Sequence, residues 1–131
     1  MTPKEIVHRA LAENGDFASA QMLHARMLVA GSRIGLNTVY RTLRELVEAG
    51  RVDMIRDPGG AQLYRLRTGP HHSHYLFCRT CGHSVPLESE FVERWAVNAG
   101  QSHGFANVEH TIELVGVCAE CSAENNGRRE G

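Results

Sequence analysis

Four cysteines stand in two pairs, Cys78-x-x-Cys81 and Cys118-x-x-Cys121. Two thiolates at this spacing on a tight turn can both reach one ion at ~2.3 Å, and two such turns complete a tetrahedron. That is the closed geometry of structural zinc. Because the pairs are remote along the chain, the ion would clamp everything between them. Zinc of this kind can contribute ~10–16 kcal/mol of apparent binding energy, more than the stability of many whole domains. The alternative is a pair of redox dithiols or disulfides. No acid–base partner typical of a thiol oxidoreductase adjoins either pair.

A second constellation is interleaved with the cysteine pairs, starting just before the first. Six of the eight histidines fall between His71 and His110. On a strand, His72 and His74 point the same way, because side chains alternate faces. His110 lies in phase with Val108, Ile112 and Leu114, on the apolar side of an expected last strand. Glu93, on the helix between, could supply an oxygen. His72, His74, Glu93 and His110 would make a site of three nitrogens and one oxygen, suited to zinc and open to nickel, iron or manganese. A lone histidine on such a face is ordinarily a core residue; here it has company. A hydrolytic zinc centre with Glu93 as base is a third use of the same residues. A four-cysteine clamp and a DNA-reading fold explain more of the chain, so the chain reads as no enzyme.

The third candidate is a helix from Asn37. Its buried stripe takes Val39, Leu43, Leu46 and Val47, leaving Asn37, Thr38, Tyr40, Arg41 and Arg44 largely off it. An aromatic and two guanidinium groups on one face suit phosphate and base-edge contacts in a major groove. The alternative is an ordinary solvated face.

These residues need elements to hold them. Helical spacing predicts helices over 3–13, 20–30 (capped by Ser19) and 37–49. Two β-prone runs, 51–56 and 61–66, flank Asp57-Pro58-Gly59-Gly60 and read as a hairpin. Three helices and a hairpin are the order of a winged helix-turn-helix. The next module reads as strands at 72–77 and 83–87, a helix at 88–102 with Phe91, Val92, Trp95, Ala96 and Ala99 inward, and a long strand at 108–117. The fold class is therefore α+β. Residues 1–67 form the winged-helix domain, 68–70 a hinge, 71–122 a small zinc-binding domain, and 123–131 a polar, disordered tail.

Charge follows the same division. Net charge over all 131 residues is −1. Yet residues 1–67 hold ten Lys/Arg against seven Asp/Glu, and the remainder four against eight. The modest basic excess sits with the DNA-reading helix. The apolar fraction of 42% is that of a folded protein, and no run approaches the ~20 apolar residues of a membrane span. No secretion signal is evident, so a cytoplasmic protein without a membrane partner is expected, where cysteines are more often metal ligands than disulfides.

Together these residues resemble the ferric uptake regulator family. Its marks are Gly35-Leu-Asn-Thr-Val-Tyr-Arg-Thr-Leu43, His71-His-Ser-His74, and Cys78-Arg-Thr-Cys81-Gly82 with the second cysteine pair. Ser19-Ala-Gln-Met-Leu-His24, Val92-Glu-Arg-Trp95, His103-Gly-Phe105 and Val108-Glu-His-Thr-Ile-Glu-Leu114 bring it closest to the actinobacterial zinc-uptake branch. The resemblance covers about residues 4–122. It implies a homodimeric repressor that binds an inverted-repeat operator when metal-loaded. It also implies structural Zn2+ on Cys78, Cys81, Cys118 and Cys121, and a second, regulatory Zn2+ or other divalent ion on His72, His74, Glu93 and His110. Tyr40 and Arg41 would contact DNA, with Lys4 near the backbone. One departure matters. The zinc branch holds an interdomain sensor metal with an Asp, a Cys and two His, and here those places carry Asp53, Arg67, Ser73 and Tyr75. The iron-branch equivalents fare no better, with Phe17 and Leu66 in place.

Sensing would then fall to the His/Glu site. Metal there would tie the first strand of the second module to its helix and last strand, favouring one spacing of the two recognition helices. The competing expectation is a DNA-binding protein that keeps only structural zinc.

Overall fold

The computed structural model describes residues 1–67, 69, 74–110 and 112–123. It is an α+β chain. The order is α1 (Pro3–Asn14), α2 (Ala20–Val29), α3 (Leu36–Glu48), β1 (Val52–Arg56), β2 (Gln62–Leu66), β3 (His74–Cys78), β4 (Ser84–Leu87), α4 (Glu90–Ser102) and β5 (Glu113–Gly116). Among the described residues, no helix is long and apolar enough to cross a membrane.

Local chemistry sets the helix boundaries. Thr2 and Glu5 form a capping box with Pro3 in the first turn of α1, and Gly15, at φ 71°, closes its end. The Ser19 hydroxyl accepts the Met22 N–H at 3.1 Å to start α2. α1, α2 and α3 bury Val7, Leu11, Leu23, Val39 and Leu43 against Val52 and Tyr64 of the β1–β2 hairpin. The hairpin runs in antiparallel register with Met54 opposite Tyr64, and Ala18 bridges to Tyr64. Helix, turn, helix and wing are thus one packed unit.

The other sheet has the order β4-β3-β5. β3 and β4 are an antiparallel pair around the first cysteine turn, whereas β5 lies parallel to β3, with Tyr75 opposite Glu113 and Cys78 opposite Gly116. A second buried cluster joins this sheet to the first unit. Phe17, before α2, and Ile55 of β1 pack on Tyr75 and Phe77 of β3. Phe17 meets Tyr75 edge-on at 4.8 Å between ring centroids, an arrangement worth ~0.5–1.5 kcal/mol beyond burial.

Several expectations need correction. The long strand at 108–117 contracts to Glu113–Gly116, and Asn107 turns the chain ahead of it with φ 55°. α4 starts at Glu90 rather than residue 88, because the Ser89 hydroxyl caps it through the Val92 N–H at 3.2 Å. Its expected inward face is largely open: Phe91 is 74% and Trp95 60% exposed, and only Ala96 and Gly100 are buried. The chain stays helical over 119–123, across the expected start of the tail. The tail from residue 124, the Thr68 and Pro70 of the expected hinge, and His72 lie outside the described residues.

Candidate metal centres and DNA-reading face

Both candidate metal centres follow from one feature, the parallel pairing of β3 with β5. Parallel strands place like ends together. At the C-terminal end, Cys78 finishes β3 opposite Gly116, so Cys118 arrives two residues later beside it. At the N-terminal end, His74 starts β3 next to the segment that enters β5, which carries His110. Cys78 and His74 are four residues apart, about 13 Å along a strand.

The four sulfurs lie within 4.8 Å of one another. Cys81 and Cys118 Sγ are 3.7 Å apart, close to the ~3.8 Å edge of a tetrahedron with ~2.3 Å zinc–sulfur bonds. The first turn is built for this. Gly82 takes the left-handed conformation at φ 82° and returns its N–H to the Cys78 carbonyl at 3.0 Å, while Cys78 N–H bonds His83 O at 2.8 Å. All four cysteines are free rather than disulfide-bonded.

Electrostatics divide the thiols of the cluster. The Cys118 N–H donates to Cys78 Sγ at 3.3 Å, and with the N–H groups of Cys81 and Thr80 it brings the Cys78 thiol down to about 5. Cys121 is pushed up, first by its contact with Cys118 and then by burial. Cys81 is raised too: the His83 N–H lowers it, but Cys78, burial and Cys118 outweigh that. One thiolate is stabilised and its neighbours then hold their protons. A divalent cation lets all four ionise, so the donor set fits zinc.

At the other end, Glu93 of α4 stands between two imidazoles. His74 Nε2 is 2.9 Å from Oε1, and His110 Nε2 is 2.9 Å from Oε2. The contact with His110 first, then with His74, holds the Glu93 carboxyl below the usual carboxylate range. The three donors also lie within 4.8 Å of one another. Two nitrogens and an oxygen converging from three segments fit a zinc-type ion. The sequence expectation added His72, which lies outside the described residues.

On α3, Asn37, Arg41 and Arg44 are exposed, and Thr38 and Tyr40 half-buried, with Tyr40 packed on the first core. Burial raises the phenol of Tyr64 in β2, and nearby Tyr40 adds to that, while Arg44 and Arg56 act to lower it. Arg44 of α3 and Arg56 of the wing, both exposed, are thus both near Tyr64. Lys4 is exposed and reaches Glu45 on α3 at 3.5 Å, so it joins α3 through an ion pair.

Sequence reasoning missed what binds the two sheets' units together. Asp53 is buried on β1 where a strand facing a core would carry an apolar side chain. That break in alternation was the available signal. Its Oδ1 accepts Arg67 Nε at 3.0 Å and its Oδ2 accepts the Tyr75 hydroxyl at 2.7 Å. Asp16, Arg65 and Ser84 form a second polar contact, with Arg65 Nη1 donating to Ser84 Oγ at 2.7 Å and Asp16 bonded to the same hydroxyl.

Comparison with known proteins agrees with this architecture. The zinc uptake regulation protein of Mycobacterium tuberculosis is 44% identical over 106 residues, 81% of each chain. The ferric uptake regulation protein of Escherichia coli K12 is 34% identical over 102 residues, 78% of this chain and 68% of that one. The crystal structure of FurB from M. tuberculosis, a zinc uptake regulator, matches with TM-score 0.51 at 40% identity, covering 90% of this chain and 91% of that one. A zinc uptake regulator complexed with zinc and DNA matches with TM-score 0.79 at 27% identity, covering 96% and 85%. The family model described as "Ferric uptake regulator family" matches residues 1–115, and the chain belongs to that family.

Proposed function

We propose that the chain is a zinc-responsive repressor of metal-uptake genes, working in the cytoplasm as a homodimer on an inverted-repeat operator. Residues 1–67 read DNA, with Asn37, Thr38, Tyr40, Arg41 and Arg44 toward the groove and Lys4 near the backbone. Residues 68–70 link to a dimerisation domain at 71–122, and 123–131 form its tail. Cys78, Cys81, Cys118 and Cys121 hold the structural zinc.

The observation that carries the regulatory reading is Glu93, held between His74 and His110 on the helix that leaves Phe91 and Trp95 exposed. An ion bound there supplies one positive centre shared by three otherwise separate segments. Glu93 fixes the turn of α4 against β3; His110 fixes the segment entering β5. α4 thereby presents its open apolar face in one orientation, and a second copy of the chain fits that face. The site sets how two reading heads are spaced. Metal then shifts operator affinity only insofar as it prefers that spacing.

A second reading keeps the structural zinc and DNA binding but no metal response. It is favoured by Asp53, whose carboxylate is taken by Arg67 and Tyr75. A regulator that responds at the His/Glu site to nickel, iron or manganese instead of zinc is a separate alternative. The test of the main proposal is selection of duplexes from a random DNA pool by the zinc-loaded protein. Enrichment of an inverted repeat whose half-sites lie a helical turn or so apart is expected. Enrichment of nothing, or of a single half-site, defeats it.

A further inference from the structure

We propose that Arg67 takes the place of a metal ion beside Asp53, holding its carboxylate so that the Asp53–Tyr75 hydrogen bond closes the two halves of the chain as a latch of protein groups alone. Asp53 lies on β1, Arg67 just beyond β2 and Tyr75 on β3, so the Asp53–Tyr75 bond crosses from the wing to the other sheet while Arg67 holds the same carboxylate from the wing side. Arg67 Nε lies 3.0 Å from Asp53 Oδ1, and the Tyr75 hydroxyl donates to Oδ2 at 2.7 Å. Both oxygens of the carboxylate are engaged, and one of the engaging groups is permanently cationic. A divalent ion approaching Asp53 would meet a guanidinium with its own positive charge, and neither Arg67 nor Tyr75 offers a donor of the kind zinc takes here. The described donors do not fit a metal.

The latch has support on both sides. Tyr75 is buried to 1% exposure and packs on Phe17 and Ile55, so its hydroxyl is aimed by the aromatic cluster. Arg65, one strand position from Leu66, lies over the Tyr75 ring at 5.4 Å and bonds Ser84 on β4. His74, one residue before Tyr75, turns to Glu93 instead of Asp53, which keeps the His/Glu centre separate from the latch. The consequence is a division of labour. The fixed cation sets the position of each reading head on its own protomer, and the exchangeable ion acts elsewhere. The inference does not depend on which metal the His/Glu site takes.

The test uses the full chain with its four-cysteine zinc retained. Donor and acceptor dyes are placed through non-natural residues at the exposed positions of Ala12 on α1 and Val85 on β4, away from α4. Labelled chains are diluted into excess unlabelled chain, so that energy transfer reports distance within one protomer. The closed distance is expected to persist when a chelator empties the His/Glu site. In Arg67→Met the closed population falls by half or more, and added zinc does not restore it. Tyr75→Phe, which removes a single oxygen, moves it in the same direction. Should Arg67→Met lose its helical signal, Tyr75→Phe decides alone. A wild-type distance that opens on chelation overturns the latch, and so does a folded Arg67→Met with an unchanged distribution. Failure to select an operator would defeat the proposed function while leaving these distances as they are.

Discussion

At the scale of single residues, the two centres differ in how they respond to protons. In the thiolate cluster Cys78 is already brought down to about 5, while Cys81 and Cys121 are raised. Zinc entering near neutral pH must therefore expel the protons of at least those two thiols. A ligand that releases two protons binds about a hundredfold more weakly for each pH unit of acidification. Competition with a chromophoric chelator between pH 6 and 8 measures that slope, and a pH-independent affinity would be inconsistent with protonated thiols. At the other centre, Glu93 is the sole oxygen among the three described donors. Glu93→Gln keeps the shape and removes the charge. Changes around a metal's ligands already cost 10–100-fold in affinity, and loss of a ligand's charge should cost at least about tenfold. Calorimetric titration of zinc into protein with its four-cysteine site filled should show that weaker second event.

At the scale of elements, α4 is the piece whose attachment is least supported by packing. Only Ala96 and Gly100 are buried along it. Gly100 is where the segment before β5 approaches, and a Cβ there would stand 2.6 Å from Val108 Cγ2. Gly100→Ala should therefore destabilise the fold by roughly 1–3 kcal/mol, seen as a lower midpoint in thermal denaturation. An unchanged midpoint would mean that the segment yields freely. Helix caps at Thr2 and Ser19, and the buried stripe of α3, are legible in the sequence because they depend on neighbours within one or two turns. The cysteine turns are legible for the same reason. The pairing of β5 with β3 is not, since a short strand of Glu113–Gly116 carries no local mark of which partner it joins or in which direction. Nor is the open face of α4. Phe91 and Trp95 have the spacing of core residues, and on the proposed reading the surface that covers them belongs to a second copy of the chain. The family resemblance groups Asp53, Arg67 and Tyr75 as former sensor positions, but that they bond one another directly depends on the packing of Phe17 and Ile55 against β3.

At the scale of the whole molecule, the β3–β5 ladder carries a candidate metal centre at each end, and the aromatic cluster with its two polar contacts joins the reading head to that ladder. The four-cysteine end holds the ladder together, and the His/Glu end orients α4 for association. The most direct measurement is the affinity for the selected inverted-repeat duplex at fixed salt, for protein with four-cysteine zinc only and for protein with both centres filled. The account predicts that filling the His/Glu centre strengthens binding at least tenfold in the wild type, and by less than twofold in Glu93→Gln. Equal affinity of the two metal states in the wild type would contradict it.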